Sequence, residues 1–243
     1  MKAEDRLENV CETTSSALPQ ALISRAALAA AASVAVEAGG RRADLRRDAW
    51  GHGLLAVAHA VAAAGGEEVL VDSVGEAEML RLEGIAAVTD GAADIDAALL
   101  YGLPTARGHA ATRPVMRLTG RVMSTKRLRA GDAVSYGYTF RATADTTVAL
   151  VTGGYAQGIV RALGNRALVE VDGVLRPIVG RVAMDVCVVD LEGEEAAVGT
   201  EVTYFGGTGP AADAVLRWAE VTSMTPAELV VVAGSHAERG WEA

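Results

Sequence analysis

The segment Leu45-Arg46-Arg47-Asp48-Ala49-Trp50-Gly51-His52-Gly53 gathers several side chains able to do chemistry. Arg46 can act as a fork donor to a small anion, or as half of a buried ion pair with Asp48. An arginine stays protonated, so it cannot supply the neutral amine that an imine needs. His52 stands between two glycines, where it can serve as a ligand or acid–base group, or simply cap the next helix and order the loop. Tyr155, in Gly153-Gly154-Tyr155-Ala156-Gln157-Gly158, is a second candidate. A tyrosine titrates near 10 and must be tuned before it works as a base; otherwise it packs at a strand end or an interface. Lysine occurs only as Lys2 and Lys126, which leaves few amines. His59, His109 and His236 lack metal-ligand spacing to carboxylates or cysteines, so no metal is expected. Cys11 and Cys187 are too few for a disulfide framework and read as free thiols. Gly206-Gly207-Thr208-Gly209 does not join a strand to a helix and reads as a turn rather than a phosphate loop.

The elements that must hold these residues fall into two kinds. Residues 1–19 are polar and read as a mobile arm, and residues 20–24 as a short strand. An Ala-rich helix over 25–38 stops at Gly39-Gly40. Ala43–Asp48 reads as a strand, 54–64 as a helix stopped by Gly65-Gly66, and Val69–Asp72 as a buried strand. Ser73 and Glu76 form a capping box for the helix that follows. Ile85–Val88 and Ala98–Tyr101 read as further short strands. This βαβα alternation predicts a parallel sheet over 20–103. From 104 to 243 the pattern changes to short Val- and Thr-rich runs, with Asp172-Gly173 as a hairpin turn, and predicts a β domain. Helices are expected over 211–220 and Pro226–Ala233.

The chain has 243 residues and a formal charge of −9, from 22 basic and 31 acidic side chains. That balance disfavours nucleic acid and anionic membrane surfaces as partners. No long apolar run predicts a membrane span, the N-terminus has no apolar leader, and the expected location is the cytoplasm. Aromatic residues make up only 4%, so the core should be aliphatic.

Four segments, in the family's order along the chain, resemble the alanine racemase family. Leu45–Gly53 resembles its Lys-Ala-Asp-Ala-Tyr-Gly-His-Gly signature, Gly153–Arg161 its Gly-Tyr-Ala-Asp-Gly-x-x-Arg segment, and Gly180–Asp185 its Gly-Arg-Val-x-Met-Asp segment. Val134–Thr139 resembles its Tyr-Gly-x-Thr stretch. The resemblance implies a fold of α/β plus β: a partial (half) TIM-like α/β barrel followed by an alanine-racemase-type C-terminal β domain. It places Arg46 where the family has the lysine that holds pyridoxal phosphate, and Trp50 where it has a phosphate-contacting tyrosine. Ile95 falls at the arginine that holds the pyridine nitrogen, and Ala227 at a second tyrosine. Gln157 replaces an aspartate. Tyr155 is implied as the second base, and Met184 as the residue whose backbone meets the substrate carboxylate, or as an interface packer.

The stretch 20–103 offers roughly 80 residues and four strands, where an eight-stranded αβ barrel takes about 250 residues. Half a barrel should leave strand edges and an apolar face open. A second chain is expected to cover them, since the resemblance implies a head-to-tail homodimer. Three functions are open. One is a cofactor-free homologue without racemase competence. Another is an enzyme without pyridoxal phosphate that uses Tyr155, His52 and Arg46. The third is a pyridoxal phosphate-dependent alanine racemase taking its amine from Lys126 or a partner chain.

Overall fold

The computed structural model describes residues 18–105, 108–109 and 112–243. The arm expected over 1–19 lies outside the described residues up to 17, whereas Pro19 is buried and its carbonyl accepts the Glu238 N–H at 2.9 Å. Strand β1 (Gln20–Ser24) leads into helix α1 (Arg25–Glu37), whose first turn is capped by the Ser24 hydroxyl. A parallel sheet follows. Strand β2 (Arg42–Asp44) runs into a single left-handed turn, α2 (Arg46–Trp50), and then helix α3 (Leu54–Ala63). Strand β3 (Glu68–Leu70) leads to helix α4 (Val74–Leu82), which carries the expected Ser73–Glu76 capping box. Strand β4 (Ala87–Val88) completes a three-stranded sheet in the order β2-β3-β4.

The expected fourth strand, Ala98–Tyr101, is instead the short helix α5 (Ala97–Leu100). Asp96 accepts the Ala98 N–H at 2.8 Å and turns a run of apolar residues helical. The described α/β part is therefore a sheet of three strands rather than a half barrel of four.

Register decides what the faces of this sheet carry. Ala43, Val69 and Ala87 align across the strands and are buried in one core with Ala31, Val57, Val61 and Leu80 of the helices. Arg42, Asp44 and Glu68 lie on the other face, because side chains alternate along a strand. There Arg42 pairs with Glu68 at 2.5 Å and Asp44 with Arg46 at 2.5 Å. The face expected to be apolar thus bears paired charges, with Leu70 of that face itself buried.

The outer edge of β2 is also occupied. The N–H groups of Arg41 and Arg42 donate to Asp94 Oδ1 at 2.7 and 2.6 Å, and the N–H groups of Asp94 and Ile95 donate to the Arg42 carbonyl at 3.0 Å. The Tyr101 hydroxyl donates to the Asp44 carbonyl at 3.1 Å. The backbone donors hold the Asp94 carboxyl below the usual carboxylate range. Its acceptor role is therefore complete at neutral pH and fades only as pH falls through that lowered value. Asp94→Ala should lower the urea midpoint and Asp94→Asn should lower it less, since the amide oxygen still accepts. Equal midpoints for Asp94→Ala and the parent would contradict this.

The rest of the chain is mostly β. A two-residue pair, β5 (Pro104–Thr105) and β6 (Gly108–His109), precedes the long strand β7 (Met116–Leu128). A small hairpin, β8 (Ala133–Val134) and β9 (Phe140–Arg141), leads to β10 (Thr146–Thr152). Strands β11 (Leu168–Val171) and β12 (Val174–Val179) join through Asp172-Gly173, with φ of 50° and 77°, the hairpin chemistry the sequence announces. Strands β13 (Val186–Asp190) and β14 (Glu201–Phe205) follow. The order β10-β13-β12-β11-β14-β7, with β7 also paired to β10, closes a six-stranded antiparallel barrel. Closure works because β7 is long enough to pair with β14 through its first half and with β10 through its second.

Strand β7 also carries β1, and β1 in turn carries the last strand, β15 (Glu238–Glu242), in parallel. Helices α6 (Ala214–Thr222) and α7 (Pro226–His236) pack between the barrel and the parallel sheet. The core is aliphatic apart from two small ring clusters, one around Tyr101 and one around Trp218. Trp218 is fully buried and meets Phe205 and Tyr204 edge-on, with centroids 5.4 and 6.2 Å away.

Candidate functional site

The chemistry-bearing residues lie at the carboxyl end of the parallel sheet and at one end of the β barrel. At the sheet, Arg47 to Trp50 all have φ between 51° and 59°, a left-handed turn without a glycine. Such a conformation costs roughly 1–2 kcal/mol for each residue, so the surroundings must over-determine it. The Arg47 N–H donates to Asp72 Oδ2 at 2.5 Å, and Asp48 Oδ1 accepts the Leu54 N–H at 2.7 Å, anchoring the turn to the end of β3 and the start of α3. Asp48 Oδ2 pairs with Arg239 of β15.

Arg46 leads into this turn. Its guanidinium forks onto Asp44, with Nε donating to Oδ1 at 2.9 Å and Nη2 to Oδ2 at 2.5 Å. The expected partner was Asp48, in a buried pair. The observed partner is Asp44, and the Arg46 side chain is 51% exposed. Residues two apart at a strand end point the same way, which favours Asp44. The Arg46 fork holds the Asp44 carboxyl below its usual range, and Asp44 in turn holds Arg46 above an already high one.

Trp50 stacks on Tyr101, with centroids 4.7 Å apart, and Tyr101 leans on His52 at 4.5 Å. His52 is fully buried, its Nδ1 lies 3.0 Å from the Ala49 carbonyl, and its Nε2 has no hydrogen-bond partner among the described residues. Burial pushes the imidazole down to about 4, so it is neutral near pH 7. Ile95 is buried with an apolar side chain. Ala227, in the first turn of α7, packs against the core.

Tyr155 begins a one-turn helix over Tyr155–Gln157. Its ring is partly exposed and lies 5.7 Å from the Arg161 guanidinium. Gln157 accepts the Gly154 N–H at 3.0 Å and donates to Asp185 at 2.9 Å, a structural tie between the two loops. The Met184 carbonyl accepts the Ala156 N–H at 2.9 Å, while the Met184 side chain is exposed.

Helix α7 touches both groups. Gly51, after the left-handed turn, packs against the backbone of Gly234, and Gly158, after Tyr155, packs against Ala233. Among the described residues no hydrogen bond, ion pair or ring contact joins Arg46 to Tyr155.

The structure gives the Val134–Thr139 segment a role that its motif did not assign. Ser135, Gly137 and Tyr138 have φ of 67°, 77° and 50°. This strained loop is fixed by Ser135 Oγ, which donates to the Arg181 carbonyl at 2.7 Å and accepts its N–H at 2.8 Å. It presents Tyr136 and Tyr138, both strongly exposed, around a hollow of about 450 Å³ walled by Leu150, Val186, Val188 and Arg181. Strained loops bearing polar side chains over an apolar floor are common at functional sites. The available signal was Tyr136-Gly137-Tyr138, two tyrosines about a glycine.

Among the described residues no group of three or more His, Cys, Asp or Glu side chains could hold a metal ion, and no helix is long and apolar enough to cross a membrane.

Residues 115–241 match the family described as "Alanine racemase, C-terminal domain". Among curated relatives, an alanine racemase of Mycolicibacterium vanbaalenii is 42% identical over 126 residues, covering 51% of this chain and 32% of its own. An alanine racemase of Salinispora arenicola is 37% identical over 137 residues, covering 56% of this chain and 37% of its own. The chain thus spans about a third of the length of these curated relatives. Among solved structures, an alanine racemase from Streptomyces coelicolor A3(2) superposes with a TM-score of 0.79 at 21% identity, over 94% of this chain and 99% of that one. One from Bartonella henselae, with covalently bound pyridoxal phosphate, superposes with a TM-score of 0.72 at 16% identity, over 93% and 99%. These superpositions show a shared fold.

Proposed function

The chain belongs to the alanine racemase family, and from that premise we propose that it is a cofactor-free member without racemase competence. The observation that carries this reading is the Arg46 fork on Asp44 at the position of the family lysine. A guanidinium held there by a carboxylate offers no free amine. The other positions do not fit pyridoxal phosphate either. Ile95 has no donor for a pyridine nitrogen, Trp50 has no hydroxyl and is committed to its stack on Tyr101, and Ala227 has only a methyl group. We therefore derive no step through that cofactor. Lys126 does not replace the amine: it sits exposed on β7, aligned with Val148 in the barrel wall.

The same proposal includes a head-to-tail homodimer in a cytoplasmic setting. Its support is the exposed tyrosine hollow, a surface of the β domain that a second copy could cover. Sedimentation at micromolar concentration should show a dimer, and a stable monomer would remove this part.

The test of the main reading is spectroscopic. Purified protein with excess pyridoxal phosphate should show no visible band that borohydride removes, and no labelled peptide. A reduced, labelled Lys126 peptide would overturn it in favour of a pyridoxal phosphate-dependent racemase.

A second reading, an enzyme of changed chemistry, has the strained loop at 135–138 in its favour. Its residues would be Tyr155 as the acid–base group, and Tyr136 and Arg181 at the hollow.

A further inference from the structure

We propose that the left-handed turn α2 is an acid-sensitive clasp between the parallel sheet and the β domain, released by protonation of His52. The turn is one of the places where the two parts of the molecule meet, beside the β1–β7 pairing. Through Asp72 it holds the end of β3, through Leu54 the start of α3, through Gly234 the helix α7, and through Arg239 the strand β15. His52 sits beneath it, fully buried, with Nδ1 on the Ala49 carbonyl of the turn itself. A neutral ring with its proton on Nδ1 donates to that carbonyl and leaves Nε2 as a bare acceptor. A second proton would go to Nε2, where no acceptor among the described residues awaits it. A buried charge without a partner is costly, so the proton is accommodated by opening the turn.

The charged and titratable groups around the ring do not rescue the charge. Asp48 of the turn favours it, and Arg239 of β15 opposes it. Tyr101 faces the ring with its own hydroxyl committed to the Asp44 carbonyl. Burial decides the balance, as the lowered value near 4 against 6.5 for a free imidazole reflects.

The sign follows from linkage. The closed turn binds the proton less well than the open one, so closure is fully stable above about pH 6.5 and weakens as pH falls toward 4. Between pH 8 and pH 5 the opening equilibrium should rise ~30-fold.

Hydrogen exchange of the full chain tests this. After correction for the intrinsic rate, amides over 47–54 should open ~30-fold more at pH 5 than at pH 8. Barrel amides over 148–151 should not follow. His52→Asn, whose side-chain amide can still donate to Ala49, should flatten the profile. An equal pH profile in His52→Asn, or barrel amides rising in step, would overturn the proposal. Should His52→Asn fail to fold, the parent decides by its own titration: opening of 47–54 that rises as the His52 ring takes up its proton supports the clasp, and opening that stays flat through that titration refutes it.

Discussion

Arg46→Lys is expected to restore an amine and nothing else: no alanine racemisation above background in a coupled D-alanine assay with excess pyridoxal phosphate. Asp44 is already in place to pair with the new ammonium and hold it charged. Beyond that, the pyridine contact at Ile95 and the hydroxyls at Trp50 and Ala227 would still be missing. Each lost hydrogen bond to a charged group costs on the order of 1.5–3 kcal/mol, or roughly ten- to a hundredfold in binding. Three such losses together take cofactor affinity out of a useful range. Appreciable turnover by the single variant would show a site far more intact than its side chains suggest, and would make racemisation the leading function.

The second large effect concerns stability. Gly51→Ala should cost about 3–5 kcal/mol, read as a fall in the urea midpoint. Two causes add. Gly51 has φ of +80°, where a Cβ is strained, and that Cβ would collide with the backbone of Gly234 in α7. A backbone collision cannot be relieved by a side-chain rotation, so the helix or the turn must move. Gly65→Ala is the control. Gly65 has φ of +93° with open space around it, so only the conformational cost of about 1–2 kcal/mol applies. Equal losses for the two variants would show that the contact with α7 contributes nothing.

Much of the fold was legible where local chemistry is strong. Glycine stops ended α1 and α3, the Ser73–Glu76 box started α4, and Asp172-Gly173 made its hairpin. Ala98–Tyr101 misled because a short apolar run fits a strand or a buried helix alike; the Asp96 cap was the overlooked sign. The left-handed turn was illegible. No glycine marks Arg47 to Trp50, and the partners that hold the turn, Asp72 and Arg239, are distant in sequence. Closure of the barrel by β7 is a matter of pairing at long range, which no local pattern encodes. Within the site, the motif positions were readable, but the pairing of Arg46 with Asp44 required the period-two geometry of the strand end. The strained tyrosine loop at 135–138 required backbone angles.

The loop at Asp94 has a consequence for how such a sheet lives in a crowded solution. A parallel strand that has neighbours on one side only is a template on which another chain can build. In β2 that template is already spent: Asp94 and Ile95 mimic a neighbouring strand at Arg42, and a phenol stands in for another at Asp44. The opposite border, β4, is two residues long, too short to seed a ladder. With ion pairs rather than hydrocarbon on the uncovered face, the shortened sheet is guarded against fibre growth by its own loop, independently of any partner.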